Sequence, residues 1–258
     1  MNEKENVQIQ FGKNAGNYVT STAHAEGADL AELVEIVKNH RTRGSILDIA
    51  TGGGHVANAL APLAEVVIAY DITEKMLEKA EEFIHGNGHR NVKFVCGDAE
   101  NLSFPDSSFD IVTCRIAAHH FPHVERFVQE VFRVLKAGGL FILVDNVAPE
   151  LEEYDEFYNA IEKKRDPSHF RAHKKSKWIT FVESAGMQVR SMRTFVKKFQ
   201  YEIWCARMAL PADDKNELST YMKDAAKDIR DHFSLEVNES GQIEGFIGES
   251  ILLASVKK

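Results

Sequence analysis

Three carboxylates stand where three apolar runs end in the first half of the chain. Asp48 lies inside ILDIATGGGHVA (46–57), Asp71 follows VVIAY (66–70), and Asp98 opens DAENL just past VKFV (92–95). The first run leads into three consecutive glycines, Gly52 to Gly54, and then into an apolar helical pattern. A strand, glycine loop and helix in that order usually grip a nucleotide-like ligand, because bare backbone can approach it closely. Asp71 lies 19 residues after Gly52, the spacing at which an acid takes the hydroxyls of a ribose with both oxygens. Asp98, beside the small Ala99, is suited to the exocyclic amine of an adenine. The chemistry expected along this edge is therefore the holding of an adenosine.

Which adenosine follows from charge. An ATP loop would end in Gly-Lys-Ser/Thr, whereas His55 and Val56 follow the last glycine here. From Gly52 the residues do satisfy G-x-G-x-x-A, so the loop alone leaves NAD open. Asp48, four residues before Gly52, opposes a pyrophosphate, which wants unopposed N–H groups and a helix N-terminus. S-adenosylmethionine carries an ammonium and a sulfonium and no phosphate, and a carboxylate beside the loop suits those cations. It is the expected cofactor. A non-catalytic S-adenosylmethionine-binding protein and an NAD-dependent dehydrogenase are the competing classes.

The elements that must place these acids alternate. Apolar strands are read at 46–49, 66–70, 92–95, 109–114 and 140–145. Helices separate them, with apolar stripes at Val56, Ala59, Leu60 and Leu63, at Met76, Leu77, Ala80 and Ile84, and at Val124, Phe127, Val128, Val131 and Leu135. Continuous apolar strands in strict alternation with helices mean a parallel sheet covered on both faces. Asp29 is read as the N-cap of a helix before the first strand, Thr73 as that of the helix after the second, and Gly138–Gly139 as the break before the strand at 140. Past Ala148 the rhythm changes to charged, loosely helical residues (150–174), a helix near Trp178, a β-like stretch at 189–199, a helical insertion at 200–235 and a final strand. The expected division is a helical lid segment (1–44), a cofactor-binding core (45–146), and a C-terminal completion of the sheet with helical substrate covers (147–258), all in one domain.

Composition narrows the partners. Lys and Arg number 31 against 39 Asp and Glu, a net charge of −8, and the densest basic patch, RAHKKSKW (171–178), is short. Phosphate-backbone affinity is built from clustered cations, so no nucleic-acid partner is expected. The polar N-terminus has no apolar secretory core, no run approaches a membrane span, and Cys96, Cys114 and Cys205 are scattered. A cytoplasmic protein without a structural metal is expected.

Together, LDIATGGG, YDIT, GDAENLSFPDSSFDIVTCRIAAHHF and FRVLKAGGLFILVD resemble the class I S-adenosylmethionine-dependent methyltransferases, in the branch of the ubiquinone/menaquinone C-methyltransferases (methyltransferase type 11-like). The resemblance covers about 45–146. It implies an α/β fold: a Rossmann-like, doubly wound, seven-stranded and mostly parallel sheet with an antiparallel last strand, plus helical cap insertions. It also implies that Gly52 and Gly54 approach the methionine part of the cofactor, Asp71 the ribose and Ile72 an adenine face. Asp98 and Ala99 would meet the adenine edge, with Cys114 and Arg115 under the amino-acid portion. FGKNAGNYVTS (11–21) resembles the early aromatic segment of these enzymes, with Tyr18 over the sulfonium and Phe11 closing the lid. One departure is Ala50, where the pattern D-x-G-x-G-x-G has its first glycine; the added methyl is expected to be tolerated.

Methyl transfer is an in-line displacement with a neutral thioether leaving, so alignment and exclusion of water do most of the work. An oxygen, nitrogen or carbon-acid acceptor also needs a base, and histidine has the right range. CRIAAHHFPHV places His119, His120 and His123 past the fourth strand. His120 is the candidate base or positioning group, while His119 and His123 are expected to be exposed. Arg165, His169 and Arg171 in RDPSHFR are candidates for an anionic substrate group. Trp204, Met208 and Tyr221 in the insertion, at helical spacing, read as core, with shaping of the pocket or packing of a homodimer as the alternatives. The place after the fourth strand lacks the Asn/Asp-Pro-Pro-aromatic and Pro-Cys signatures of DNA methylation, so a small-molecule acceptor is expected.

Overall fold

The computed structural model describes residues 3–19, 27–40 and 44–258, with the side chains of 13–19 outside the described set. Five strands run parallel: β1 (Ser45–Ile49), β2 (Val66–Asp71), β3 (Val92–Cys96), β4 (Phe109–Arg115) and β5 (Leu135–Val147). Two long strands, β6 (Met187–Gln200) and β8 (Ile243–Lys257), complete the sheet, and the two-residue β7 (Glu236–Val237) pairs with β8. The order is β3-β2-β1-β4-β5-β8-β6. β8 is antiparallel to both β5 and β6, between which it is inserted. The seven-stranded expectation holds along this path, and β7 makes an eighth.

β1 and β4 bury all but one residue each, which follows from their apolar runs being covered on both faces. One core packs Phe127, Trp178 and Val182 against Ile49, Val112 and Phe141. The other packs Leu33, Leu60 and Ile84 against Ile46, Val67 and Ile142. A third cluster in the C-terminal half joins Phe157 and Tyr158 to Trp204, Cys205 and Phe246. Trp204 and Met208 are thus buried within the fold.

Three local expectations are corrected. Asp29 is not an N-cap: Gly27 holds that position for the helix Ala28–Asn39, and the buried Asp29 carboxylate is taken by Arg115. Thr73 is the N-cap residue of Glu74–Gly86, but its hydroxyl makes no capping bond. Gly138 and Gly139 do not precede β5; the strand starts at Leu135, read from the sequence as helical, and runs through them, with the pairing shifting from Phe109↔Leu135 to Ile111↔Leu140. A bulge absorbs the extra residues.

Chain order reverses between β1 and β4, since β2 and β3 lie to one side and β4 and β5 to the other. The crevice beyond the carboxyl ends at such a switch point is where open α/β sheets bind ligands. Asp48 and its register partner Thr113 stand at that point.

Candidate active site

The loop after β1 is shaped by left-handed backbone. Gly52 and Gly54 have φ of +54° and +84°, a region open to glycine at no steric cost. A Cβ on Gly54 would meet Ile84 and Ala80 at 2.9 and 3.0 Å, so this glycine lets the loop seat on the helix Glu74–Gly86, and it does not line the cleft. Gly52 and Gly53 do line it. Ala50 has φ +52°, a conformation costing an L-residue roughly 1–2 kcal/mol. The departure from glycine is accommodated at a backbone cost.

Asp48 is buried and receives the Thr51 hydroxyl at 2.6 Å and the Thr113 hydroxyl at 2.7 Å. Burial pushes its pKa up to about 6, despite those two hydroxyl donors. Asp71 accepts the backbone N–H groups of Gly52 and Thr73, both at 2.9 Å; burial raises its pKa too. Each oxygen accepts one protein bond and keeps a lone pair for a diol hydroxyl. Asp48, Gly52, Asp71, Ile72 and Ile116 line one continuous cleft, which extends beneath Asp98 and Ala99. The residues fit S-adenosylmethionine: two buried carboxylates, a backbone cradle free of Cβ atoms, and no lysine in the glycine loop.

The N-terminal helix Glu3–Val19 crosses this cleft. Val7 and Phe11 line it, Gln8 donates to the Ile72 carbonyl, and Lys4 bridges Asp98 and Glu100. Tyr18 belongs to this helix, but its side chain lies outside the described residues.

A second cavity of about 570 Å³ opens on the other side of the same loop edge. The two share Phe11, Arg115, Ile116 and His120. Ile116 has φ +55°, strained for a β-branched residue and of the kind that collects at functional sites. Arg115 is fixed here by Asp29 at 2.9 and 3.2 Å. Cys114, just before it, is fully buried in β4 and lines neither cavity; burial drives its thiol pKa well up.

The two adjacent histidines differ. His120 Nδ1 lies 2.9 Å from the Ser168 carbonyl and therefore donates, leaving Nε2 bare. Its ring meets Phe11 edge-on at 5.0 Å. Burial and the neighbouring His119 lower its pKa to about 4, so it is neutral near pH 7. His119 was expected to be exposed and is buried instead. Its Nδ1 lies 2.6 Å from Asp145 Oδ1, and its backbone N–H donates to Asp145 Oδ2 at 2.9 Å. Burial alone would lower its pKa, but the Asp145 carboxylate, with Glu162 and Asp166 adding to it, raises it on balance. This His–Asp pair was not found in the sequence, because 26 residues separate its members. The signal available was an acid, Asp145, ending an otherwise apolar strand. His123 is exposed.

The three candidates for an anionic group separate. Arg165 lines the second cavity, where Glu162 holds it at 2.8 Å. His169 points Nε2 at Asn159 Oδ1, 3.0 Å away, with its pKa driven down by burial. Arg171 pairs with the buried Asp155 at 2.6 Å and does not line the cavity.

This fold and site define an S-adenosylmethionine-dependent methyltransferase. A family profile described as a methyltransferase domain matches residues 47–143. The chain is 39% identical over 251 residues to an uncharacterized methyltransferase, YcgJ, of Bacillus subtilis (strain 168), covering 97% of this chain and 99% of that one. It is 36% identical over 120 residues to a ubiquinone/menaquinone biosynthesis C-methyltransferase of Stutzerimonas stutzeri (strain A1501), 45% of this chain and 46% of the relative. The crystal structure of a candidate methyltransferase from Bacillus halodurans C-125 superposes with a TM-score of 0.87 at 48% identity, covering 90% of this chain and 99% of that one. The chain belongs to the methyltransferase family, with S-adenosylmethionine as the methyl donor. Among the described residues no helix is long and apolar enough to cross a membrane.

Proposed function

We propose that the chain methylates a small-molecule acceptor held in the second cavity. The observation that carries this reading is the junction at Phe11, Arg115, Ile116 and His120, where the cofactor cleft meets a separate cavity. In that reading Asp71 holds the ribose, Asp98 and Ala99 the adenine edge, and Gly52 with Arg115 the amino-acid portion.

S-adenosylmethionine supplies an electrophilic methyl on sulfur. The acceptor's oxygen, nitrogen or carbon attacks in line; its bond to the methyl forms as the carbon–sulfur bond breaks. His120 presents the bare Nε2 to the acceptor as a neutral positioning group. His119, held in one tautomer by Asp145, receives the acceptor's proton on Nε2. Phe11 and Ile116 keep water from the junction. Positioning and a held base together supply several kcal/mol of barrier lowering.

The test uses label from methyl-tritiated S-adenosylmethionine offered to three fractions of one cell lysate: small molecules, protein and RNA. Label entering the small molecules, and not with Asp71→Ala, is the expected result. Label confined to protein or RNA overturns the reading.

A further inference from the structure

The charges around the second cavity are not all balanced within the protein. Asp29 pairs with Arg115, and Glu162 with Arg165 through one oxygen and one terminal guanidinium nitrogen. Asp166 accepts the backbone N–H of Ser168 at 2.8 Å and also its hydroxyl. Lys197, on β6, has neither an ion pair nor a hydrogen bond to its ammonium among the described residues, though it lines the cavity and is partly buried. Asp29 and Asp145 are near enough to attract it, but each is engaged, by Arg115 and by His119.

A cation withdrawn from water without a partner is costly, and such a group persists where a ligand completes it. The surroundings say what kind of ligand. Phe195 and Phe199 stand two residues to either side on the same face of β6, and a strand's side chains alternate between faces. Phe199 packs on Phe246, and Trp204 packs edge-on against the same ring. With Phe11 at the junction, the cavity offers an ammonium among aromatic walls. Lys197 lines this cavity and not the cofactor cleft.

We infer that the acceptor is a small anion with an apolar or aromatic body, its carboxylate or equivalent acid group bound by the Lys197 ammonium. This rests on the second cavity being the acceptor pocket. Of the three residues read from the sequence for this role, Arg165 is paired with Glu162, and His169 and Arg171 do not line the cavity.

The experiment titrates benzoate and its neutral isostere benzamide, at millimolar concentration, into full-length protein saturated with S-adenosylhomocysteine. Wild type is compared with Lys197→Met and Lys197→Arg. Benzoate is expected to bind at least about tenfold more tightly than benzamide, the difference a charge-assisted contact supplies. Lys197→Met should erase that preference and Lys197→Arg should retain it. Lys197→Met without ligand should melt no lower than wild type, because it removes an unpaired charge. Equal binding of the two probes, no binding of benzoate, or a preference that survives Lys197→Met overturns the proposal. So does a fall in melting temperature in Lys197→Met, which would mean a structural ion pair, or weakened S-adenosylhomocysteine binding, which would place Lys197 against the cofactor. Failure of wild type itself to bind S-adenosylhomocysteine would sink the underlying functional reading, a separate result.

Discussion

The cofactor cleft and the second cavity adjoin, yet they are built differently. The cleft's three acids, Asp48, Asp71 and Asp98, stand within or just past β1, β2 and β3, while Val7 and Phe11 of the N-terminal helix and residues after β4 close it. The cavity draws on Phe11, Gly27–Asp29, Arg115–His120, Asn146, Glu162–Asp166 and Phe195–Arg207, segments spread over most of the chain. Local chain geometry therefore dictates the acids of the donor's site, whereas long-range packing dictates nearly all of the acceptor's. Family members can share the first and differ in the second, which fits a family profile that matches 47–143 and a C-methyltransferase relative that aligns over 45% of the chain. His119 and His120 repeat the contrast over a single peptide bond. One faces a carboxylate from β5, the other a carbonyl from the segment after the helix Glu152–Arg165, and their pKa values move in opposite directions.

The largest effect belongs to the cavity. His119→Ala should lower the rate of methyl transfer into the small-molecule fraction by about 10²–10⁴, the usual worth of a general base, with S-adenosylhomocysteine affinity unchanged. Asp145→Asn should lower the rate as well, through loss of orientation of the ring. A rate unaffected by His119→Ala would return the role to His120. Next is the cleft. Asp71→Ala should weaken S-adenosylhomocysteine binding about 100-fold in calorimetry, since hydrogen bonds to a charged group are worth about 1.5–3 kcal/mol each. Unchanged binding would mean that the acid serves only to tether Gly52 and Thr73.

The histidine contrast predicts a stability profile. His120 binds its proton less well folded than unfolded, so stability should fall as pH drops from 6.5 toward 4, by up to about 3 kcal/mol, and this loss should shrink in His120→Gln. His119 behaves oppositely. Its contribution is fully present below its unfolded pKa and is lost as pH rises through the higher folded value, so Asp145→Asn should remove that neutral-to-alkaline decline. Asp145, Glu162 and Asp166 favour charge on His119. Asp166 and Asp145 do so on His120, while His119 itself opposes it. Melting temperature against pH reads both arms; identical profiles in wild type and variants would dissolve the contrast. The smallest effect is at Ala50. Ala50→Gly relieves a left-handed alanine and should stabilise by up to about 1 kcal/mol, raising the melting temperature by about 2–4 °C. A lower melting temperature would show that the alanine is not strained.

How far the sequence carried depends on where the partners of each residue lie. The parallel strands were legible because each apolar run is bounded within a few residues by glycine, an acid or a helical stripe. The β5 start was not, since a bulge lets a strand run through two glycines that read as a break. Asp48 and Asp71 were legible because their spacing from the glycine loop lies within one β-α-β unit. Asp29 was misread because its partner, Arg115, is 86 residues away.

The sequence by itself determined the parallel strands, the cofactor and the edge on which it lies, consequences of hydrophobic periodicity, short-range spacing and the charge beside the glycine loop. Only the tertiary structure decided that His119 is buried against Asp145, that Arg165, His169 and Arg171 have protein partners, and that Lys197 has none among the described residues. Charge pairing across a fold depends on distances that no local spacing encodes. The same residue types, in the same order along the chain, therefore leave the acceptor site open until the segments after β4, β5 and β6 are folded together.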